Sequence, residues 1–225
     1  MKIIGHRGAA GLALENSIEA IRQGLKAGTE FIEIDVRLTL DKKIVVIHDD
    51  DLKRTYGIDL KVKNNTLRKL RKACPSLPCL SDVLDLLTNK TVIIELKVPI
   101  DPILLKKITD KFPKTSIRYA SFDHSAITAI KKAQPESFCY LLDNNSPLDV
   151  INYATRAKMD GIGINFRILN LLTYHLAGRK NLEIYIYTLN NPIYAKIINF
   201  FYPKVDICTN YPDKLIKSLN VRNSN

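Results

Sequence analysis

Eight short runs of apolar and β-branched residues alternate along this chain with longer stretches of helical spacing, and that alternation limits the fold more than any other feature. The runs are 2–5, 31–38, 92–96, 117–121, 138–142, 161–164, 183–188 and 205–209. Between them, 17–27, 81–87, 101–111, 125–133, 147–157, 168–177 and 192–200 carry apolar residues at the three- and four-residue intervals of an amphipathic helix, and 212–219 closes the series. Helix-start signals stand at Asn16, at Ser81 with Asp82, at Asp123 and at Ser146-Pro147. Eight strands, each followed by a helix, predict an α/β architecture of one kind: a single closed (β/α)8 TIM barrel. The 225 residues suit one such domain, typically about 200–250 residues. No Pro/Gly/Ser-rich linker divides the chain, so residues 1–225 read as one domain, with 221–225 as a loose tail.

One extra apolar run, 44–47, breaks the count. It is expected to return antiparallel to the second strand as a β-hairpin. With a two-residue turn at Asp41-Lys42, Leu40 faces Lys43 and His48 falls opposite Asp35.

Chemistry-bearing residues gather at the ends of these runs. Glu33 and Asp35 are i, i+2 on one strand, so their side chains share a face. Two carboxylates facing into a barrel repel each other and lose hydration unless a cation accompanies them. Glu95 has the same character after Val92-Ile93-Ile94. Three carboxylates at one rim form an oxygen-rich site for a single divalent cation, Mg²⁺ or Ca²⁺. His6 ends the first strand and His48 ends the hairpin. Two groups that titrate near neutrality beside such a site suit general-acid and general-base roles. Arg7 and Lys97 are cations next to these groups; Arg grips phosphate oxygens in pairs, and Lys acts as a point charge. Gly8 permits a turn after His6, and Glu15 is placed to hydrogen-bond within the first loop. His124 and His175 lack such partners and read as helix-surface or packing residues.

Composition narrows the partners. Lys+Arg 34 against Asp+Glu 23 gives a formal +11, but the lysines are scattered, as on a solvated basic surface, and no nucleic-acid motif accompanies them. The apolar content of 46% is ample for a core. Cys74, Cys79, Cys139 and Cys208 form no C-x-x-C or zinc spacing. They read as reduced thiols, with Cys139 and Cys208 packing in strand runs. The start of the chain has no secretory h-region and no run is long enough to span a bilayer, so a soluble, cytoplasmic protein without stable membrane insertion is expected.

The residues carry a family resemblance. His6-Arg7-Gly8, Leu14-Glu15-Asn16-Ser17, Glu33-Ile34-Asp35, His48-Asp49 with Arg54-Thr55-Tyr56, and Glu95-Leu96-Lys97 match in order H-R-G, a P-E-N-T-like piece, E-x-D, H-D with R-T-T, and E-x-K. Leu77-Pro78-Cys79-Leu80, Ser121-Phe122, Tyr187-Thr188-Leu189-Asn190 and Thr209-Asn210-Tyr211-Pro212 continue the match along nearly the whole chain. In this the chain resembles the glycerophosphodiester phosphodiesterase family. The resemblance implies His6 and His48 as the catalytic pair, Glu33, Asp35 and Glu95 as metal ligands, and Arg7 and Lys97 as phosphate contacts, with Glu15 and Tyr187 as further substrate-binding candidates. It implies a small-molecule glycerophosphodiester as substrate, cleaved to sn-glycerol 3-phosphate and an alcohol through a cyclic phosphate. Lysophospholipase D-type cleavage is the alternative, and a catalytically inactive barrel acting as a binding module is the reading from a different class. The departures are Leu14, Ser17, Tyr187 where the family has Trp, and Asn210 where it has Asp. None falls on a catalytic or metal position, and the two late ones are expected to reshape the alcohol side of the pocket. The stretch from His48 to Ser81 is too short for the larger inserted subdomain of many family members.

Overall fold

A computed structural model describes residues 1–219; the expected tail at 221–225 lies outside the described residues. Eight parallel strands close into a barrel: β1 (Ile3–Gly5), β2 (Phe31–Leu38), β4 (Thr91–Leu96), β5 (Ser116–Ser121), β6 (Phe138–Asp143), β7 (Gly161–Asn165), β8 (Glu183–Tyr187) and β9 (Val205–Thr209). The order is β1-β9-β8-β7-β6-β5-β4-β2, and a β1–β2 pairing completes the ring. The predicted TIM barrel is therefore present. The extra strand, β3 (Ile44–Val46), pairs antiparallel with β2 outside it.

The helices after the strands are α1 (Ile18–Ala27), α4 (Leu80–Leu86), α5 (Pro102–Thr109), α6 (His124–Ala133), α7 (Pro147–Arg156), α8 (Leu171–Arg179), α9 (Pro192–Phe201) and α10 (Pro212–Leu219). Ser17, not Asn16, caps α1, accepting from the Ala20 amide at 3.1 Å. Asn16 sits at a positive φ of 56° and turns its side chain elsewhere. Cys79 precedes α4, with Asp82 accepting its amide at 2.8 Å. Helix α8 starts three residues later than its spacing indicates, because 166–168 form a 3-10 turn and Asn170 takes the cap.

The hairpin register differs from expectation by one residue. Val36 pairs with Val46 and Leu38 with Ile44. Thr39 bonds to Lys43 across the loop and Lys42 adopts φ 57°, so the turn holds three residues instead of two. Asp35 thus lies beside Ile47, whose amide bonds its carbonyl at 2.9 Å, and His48 emerges past the end of the pairing.

Two apolar layers hold the barrel. Most of the core lies between strands and helices, and Ile4, Phe31, Ile93, Ala120, Tyr140, Leu142, Tyr185 and Cys208 fill the interior. The aromatic filling depends on Gly163, where an added Cβ would come within 2.5 Å of Leu142 and 2.7 Å of Tyr185. A third cluster, Val45, Ile47, Leu52, Val62, Leu70, Cys74 and Leu77, lies under the segment after β3. That segment carries two short helices, α2 (Lys53–Tyr56) and α3 (Leu67–Ala73), which periodicity over so few residues did not mark.

Candidate active site

The carboxyl ends of the strands open on a cavity of about 230 Å³ lined by His6, Arg7, Glu33, His48, Glu95, Lys97, Phe122, Asn144, Tyr185, Tyr187, Thr188 and Cys208. Strand alternation explains the inventory. Glu33 and Asp35 on β2 share the inward face with Phe31, and Asp35 is in register with Glu95 on β4. One oxygen from each of Glu33, Asp35 and Glu95 lies within 4.8 Å of the others.

The loop after β1 supplies the first cations. Arg7 and Gly8 both hold positive φ, 51° and 88°. A Cβ at Gly8 would approach the Ala20 carbonyl carbon to 2.6 Å, so glycine is required for the loop to lie against α1. This turn aims the Arg7 amide at Glu33 Oε2, 2.8 Å away. The Arg7 guanidinium lies 3.2 Å from Asp35 and donates to Glu15 at 2.8 Å. Lys97 Nζ pairs with Glu95 and lies 3.3 Å from Asp35 Oδ1. Asn16, freed from capping, donates to Asp35 Oδ2 at 2.8 Å and accepts the Asp35 amide at 3.1 Å.

These contacts leave the three acids unequal. Burial pushes Glu33 well above the usual carboxylate range, and Asp35 and Glu95 reinforce the push. Burial and Asp35 raise Glu95 to about 7 against the opposing Lys97. Burial also works to raise Asp35, but Lys97, Arg7 and His48 outweigh it and hold Asp35 low. Among the described residues, Glu33 Oε1 is buried with no hydrogen-bond partner. An unpaired carboxylate oxygen beside two more carboxylates is a donor set that fits a hard divalent cation.

Each imidazole has one nitrogen committed. His6 Nδ1 lies 2.6 Å from Asn210 Oδ1, and His48 Nδ1 lies 2.7 Å from Asp49 Oδ1. With these oxygens accepting, both Nδ1 atoms carry the proton and both Nε2 atoms are free. Burial, with Arg7 adjacent, lowers His6 to about 4. Burial lowers His48 too, opposed by its bond to Asp49. Asp49 is fixed by Arg54, which donates to it at 2.6 Å and to Glu15 at 2.5 Å. The His48 carbonyl accepts from Arg37 Nε at 2.7 Å.

The structure therefore brings His6, His48, Arg7, Lys97, Glu33, Asp35 and Glu95 together around one cavity. Glu15 contacts it through Arg7 and Arg54, as a brace. Tyr187 lines the wall with its hydroxyl donated to the Asp143 carbonyl at 2.9 Å and its ring edge-to-face with Phe122 at 5.8 Å. His124 stacks on Tyr153 at 4.4 Å, and His175 lies beside a separate, larger cavity of about 610 Å³ with Tyr174, Arg179 and Lys204. Asn16, Asp49, Arg54 and Asn210 do work that residue-by-residue reasoning did not assign. All four lie inside the motif pieces that carry the family resemblance, and that was their signal.

A (β/α)8 barrel with acids, imidazoles and cations converging at its carboxyl rim is the arrangement of a barrel hydrolase. The model of the glycerophosphoryl diester phosphodiesterase family matches residues 6–214, and the chain belongs to that family. It is 31% identical to the putative glycerophosphodiester phosphodiesterase YhdW of Bacillus subtilis over 96% of this chain and 97% of that one. Shorter matches are to a glycerophosphodiester phosphodiesterase of Caldanaerobacter subterraneus, 30% identical over 59% of this chain, and to human lysophospholipase D GDPD1, 31% identical over 48%. Those two alignments span 63% and 40% of the relatives' own lengths. Among solved structures, an Oleispira antarctica phosphodiesterase in complex with the product sn-glycerol-3-phosphate superposes with a TM-score of 0.89 at 20% identity, covering 98% of this chain and 97% of that one. The Thermotoga maritima glycerophosphodiester phosphodiesterase gives 0.84 at 24% identity, covering 96% and 97%. At these identities the superpositions speak for the barrel fold.

Proposed function

We propose that this protein hydrolyses glycerophosphodiesters to sn-glycerol 3-phosphate and an alcohol, with His6 and His48 moving the protons and one divalent cation, Mg²⁺ or Ca²⁺, as cofactor. The observation that carries this reading is the pairing of two imidazoles, each with Nδ1 committed and Nε2 free, at one cavity with the acidic triad.

Arg7 and Lys97 bind the phosphate oxygens and offset its charge. His6 is kept neutral by burial and by Arg7, which suits it to take a proton. Its role is general base toward the substrate hydroxyl adjacent to the phosphate. That hydroxyl attacks phosphorus, forming a cyclic phosphate as the bond to the alcohol breaks. His48 is assigned the protonated role, because the Asp49 carboxylate opposes the lowering that burial causes, and its proton goes to the departing oxygen. Water then opens the ring with the two roles reversed. Glu33, Asp35 and Glu95 would hold the cation, which supplies positive charge to polarise phosphoryl oxygens and acidify a nearby hydroxyl.

A second reading, cleavage of lysophospholipids, is favoured by the wall beside Lys97. Phe122 lies 5.8 Å from Lys97 Nζ and is 39% exposed, so the acyl chain on the glycerol side of a lysophospholipid has an aromatic surface to meet. The test is release of the free alcohol, with and without chelator, together with glycerol 3-phosphate from glycerophosphocholine and glycerophosphoethanolamine and lysophosphatidate from lysophosphatidylcholine. Glycerol 3-phosphate should appear from the two glycerophosphodiesters and should vanish on chelation; lysophosphatidate from the third substrate would support the second reading. Full turnover after verified metal removal would refute the metal assignment. Equal kcat for a 2-deoxy analogue would refute attack by the neighbouring hydroxyl.

A further inference from the structure

Helix α9 packs Ala195 and Ile198 on the barrel core yet is apolar on its outward face as well. Barrel helices ordinarily bury an apolar stripe against the strands and present a polar face to water. In α9 the single fully buried residue is Ala195, while Ile193, Tyr194, Ile197, Phe200 and Phe201 are 70%, 56%, 45%, 79% and 55% exposed. Their spacing of three and four residues places them on one outward stripe. The first turn of α8 adds Leu171 and Leu172, both more than half exposed. The two helices meet where Tyr174 and Tyr202 rings lie 5.4 Å apart.

The charge around the stripe selects the occupant. Residues 188–204 contain Lys196 and Lys204 and no carboxylate. Aliphatic and aromatic side chains flanked by lysines, without acids, are the composition of a helix that lies in the plane of a lipid–water interface. The lysines complement anionic headgroups and their stems can lie along the apolar surface. A second copy of the chain fits less well: a two-fold contact of the stripe with itself brings two Lys196 side chains together with no acid on the helix to pair them. Ten residues are too few to cross a bilayer, and no helix among the described residues is long and apolar enough to do so.

We propose that α9, with the first turn of α8, is a docking surface for an anionic lipid membrane, bound peripherally. Because α9 begins at Pro192, a short turn after Tyr187 and Thr188, which line the candidate active site, docking would hold the mouth of the cavity near the lipid headgroups. The proposal concerns binding and stands whether or not the catalytic reading does.

The chain has no tryptophan, so one introduced residue is a clean reporter. Phe200→Trp should shift its emission to the blue and be quenched by brominated lipid when phosphatidylcholine vesicles containing phosphatidylglycerol are added. Ile103→Trp is the control. Ile103 is 76% exposed at the start of α5, and α5 follows β4, four strands around the barrel from the β8 that precedes α9; its emission should not change. In the wild-type background, Ile197→Glu and Phe200→Glu should each weaken co-sedimentation with these vesicles at least about tenfold, with thermal melting unchanged because both side chains are exposed. Failure of the wild type to co-sediment at low salt would overturn the proposal, as would equal responses from the two tryptophans. A blue shift of Phe200→Trp on concentrating the protein without lipid, together with a doubled mass, would assign the stripe to a second copy instead.

Discussion

The two ends of the barrel interior solve opposite problems with similar residues. At the amino end of the strands, Arg118 lies over the rings of Phe31 and Phe138, with centroid distances of 4.7 and 4.0 Å. It donates to Tyr140 at 2.5 Å and to Glu183 at 2.6 Å. Asp206 is similarly matched, accepting the Lys2 amide at 2.7 Å. At the carboxyl end, three acids face Arg7 and Lys97, and Glu33 keeps a buried oxygen without a partner. One end is satisfied by its own residues; the other is complete only with something added. Buried charge that is internally paired stiffens a plug, whereas buried charge left open is a binding site.

Glu33→Gln is the change that tests this contrast most severely. It removes a carboxyl whose ionisation burial, Asp35 and Glu95 already oppose, and retains an oxygen to accept the Arg7 amide. Turnover of glycerophosphocholine should fall by orders of magnitude, while the thermal midpoint measured in chelator should hold or rise. A protein that lost stability as well would mean that the rim is as self-satisfied as the plug. Next come the histidines: His6→Ala and His48→Ala should each lower kcat by about 10²–10⁴, and His124→Ala and His175→Ala should be nearly silent. Equal losses at all four would remove the distinction between rim and surface.

The amino end should respond in the opposite sense. Arg118→Ala leaves a gap among three rings and removes a buried cation. It should cost about 3 kcal/mol of stability in denaturant unfolding with little change in kcat for the folded fraction. Arg118→Met, which keeps much of the packing, should cost less. The smallest expected effect is Asn210→Asp. A carboxylate on His6 Nδ1 would stabilise the imidazolium and raise the His6 pKa from about 4. Since the neutral form acts as base, the acidic limb of the kcat/KM profile should move to higher pH, by about a unit. An unmoved limb would show that His6 does not set it.

The barrel was legible because strand and helix periods persist over many elements. The runs 31–38 and 205–209 are strands with those bounds, and 212–219 is a helix with its own. The acidic triad was legible for a related reason: i, i+2 spacing fixes a shared face. Where one local alternative decided the outcome, sequence was a poorer guide. A single residue in the Thr39–Lys43 turn displaced the hairpin register, since Lys42 adopts a left-handed conformation usually associated with glycine or asparagine. Asn16 stood where a cap was expected, yet Ser17 beside it could cap equally well and left Asn16 to hold Asp35. Arg54 and Asp49 are far apart from Glu15 along the chain, so their bracing emerges only when the loops meet.

His48 and its supports rest on a different apolar cluster from the rest of the rim. His6, Glu33, Asp35, Glu95 and Lys97 ride on barrel strands or at their ends, whereas His48, Asp49 and Arg54 belong to the segment over its own small apolar cluster of Val45, Ile47, Leu52, Val62, Leu70, Cys74 and Leu77. It is tied across by the Arg54–Glu15 and Arg37–His48 contacts. A unit with a small core opens at lower free energy than the barrel beneath it. Amide exchange over residues 48–77 should accordingly outpace exchange in β2 and β4. For the proposed reaction, the proton donor would then be present only during the closed intervals of that segment, so its opening equilibrium, rather than melting of the barrel, sets the temperature at which turnover begins to fail.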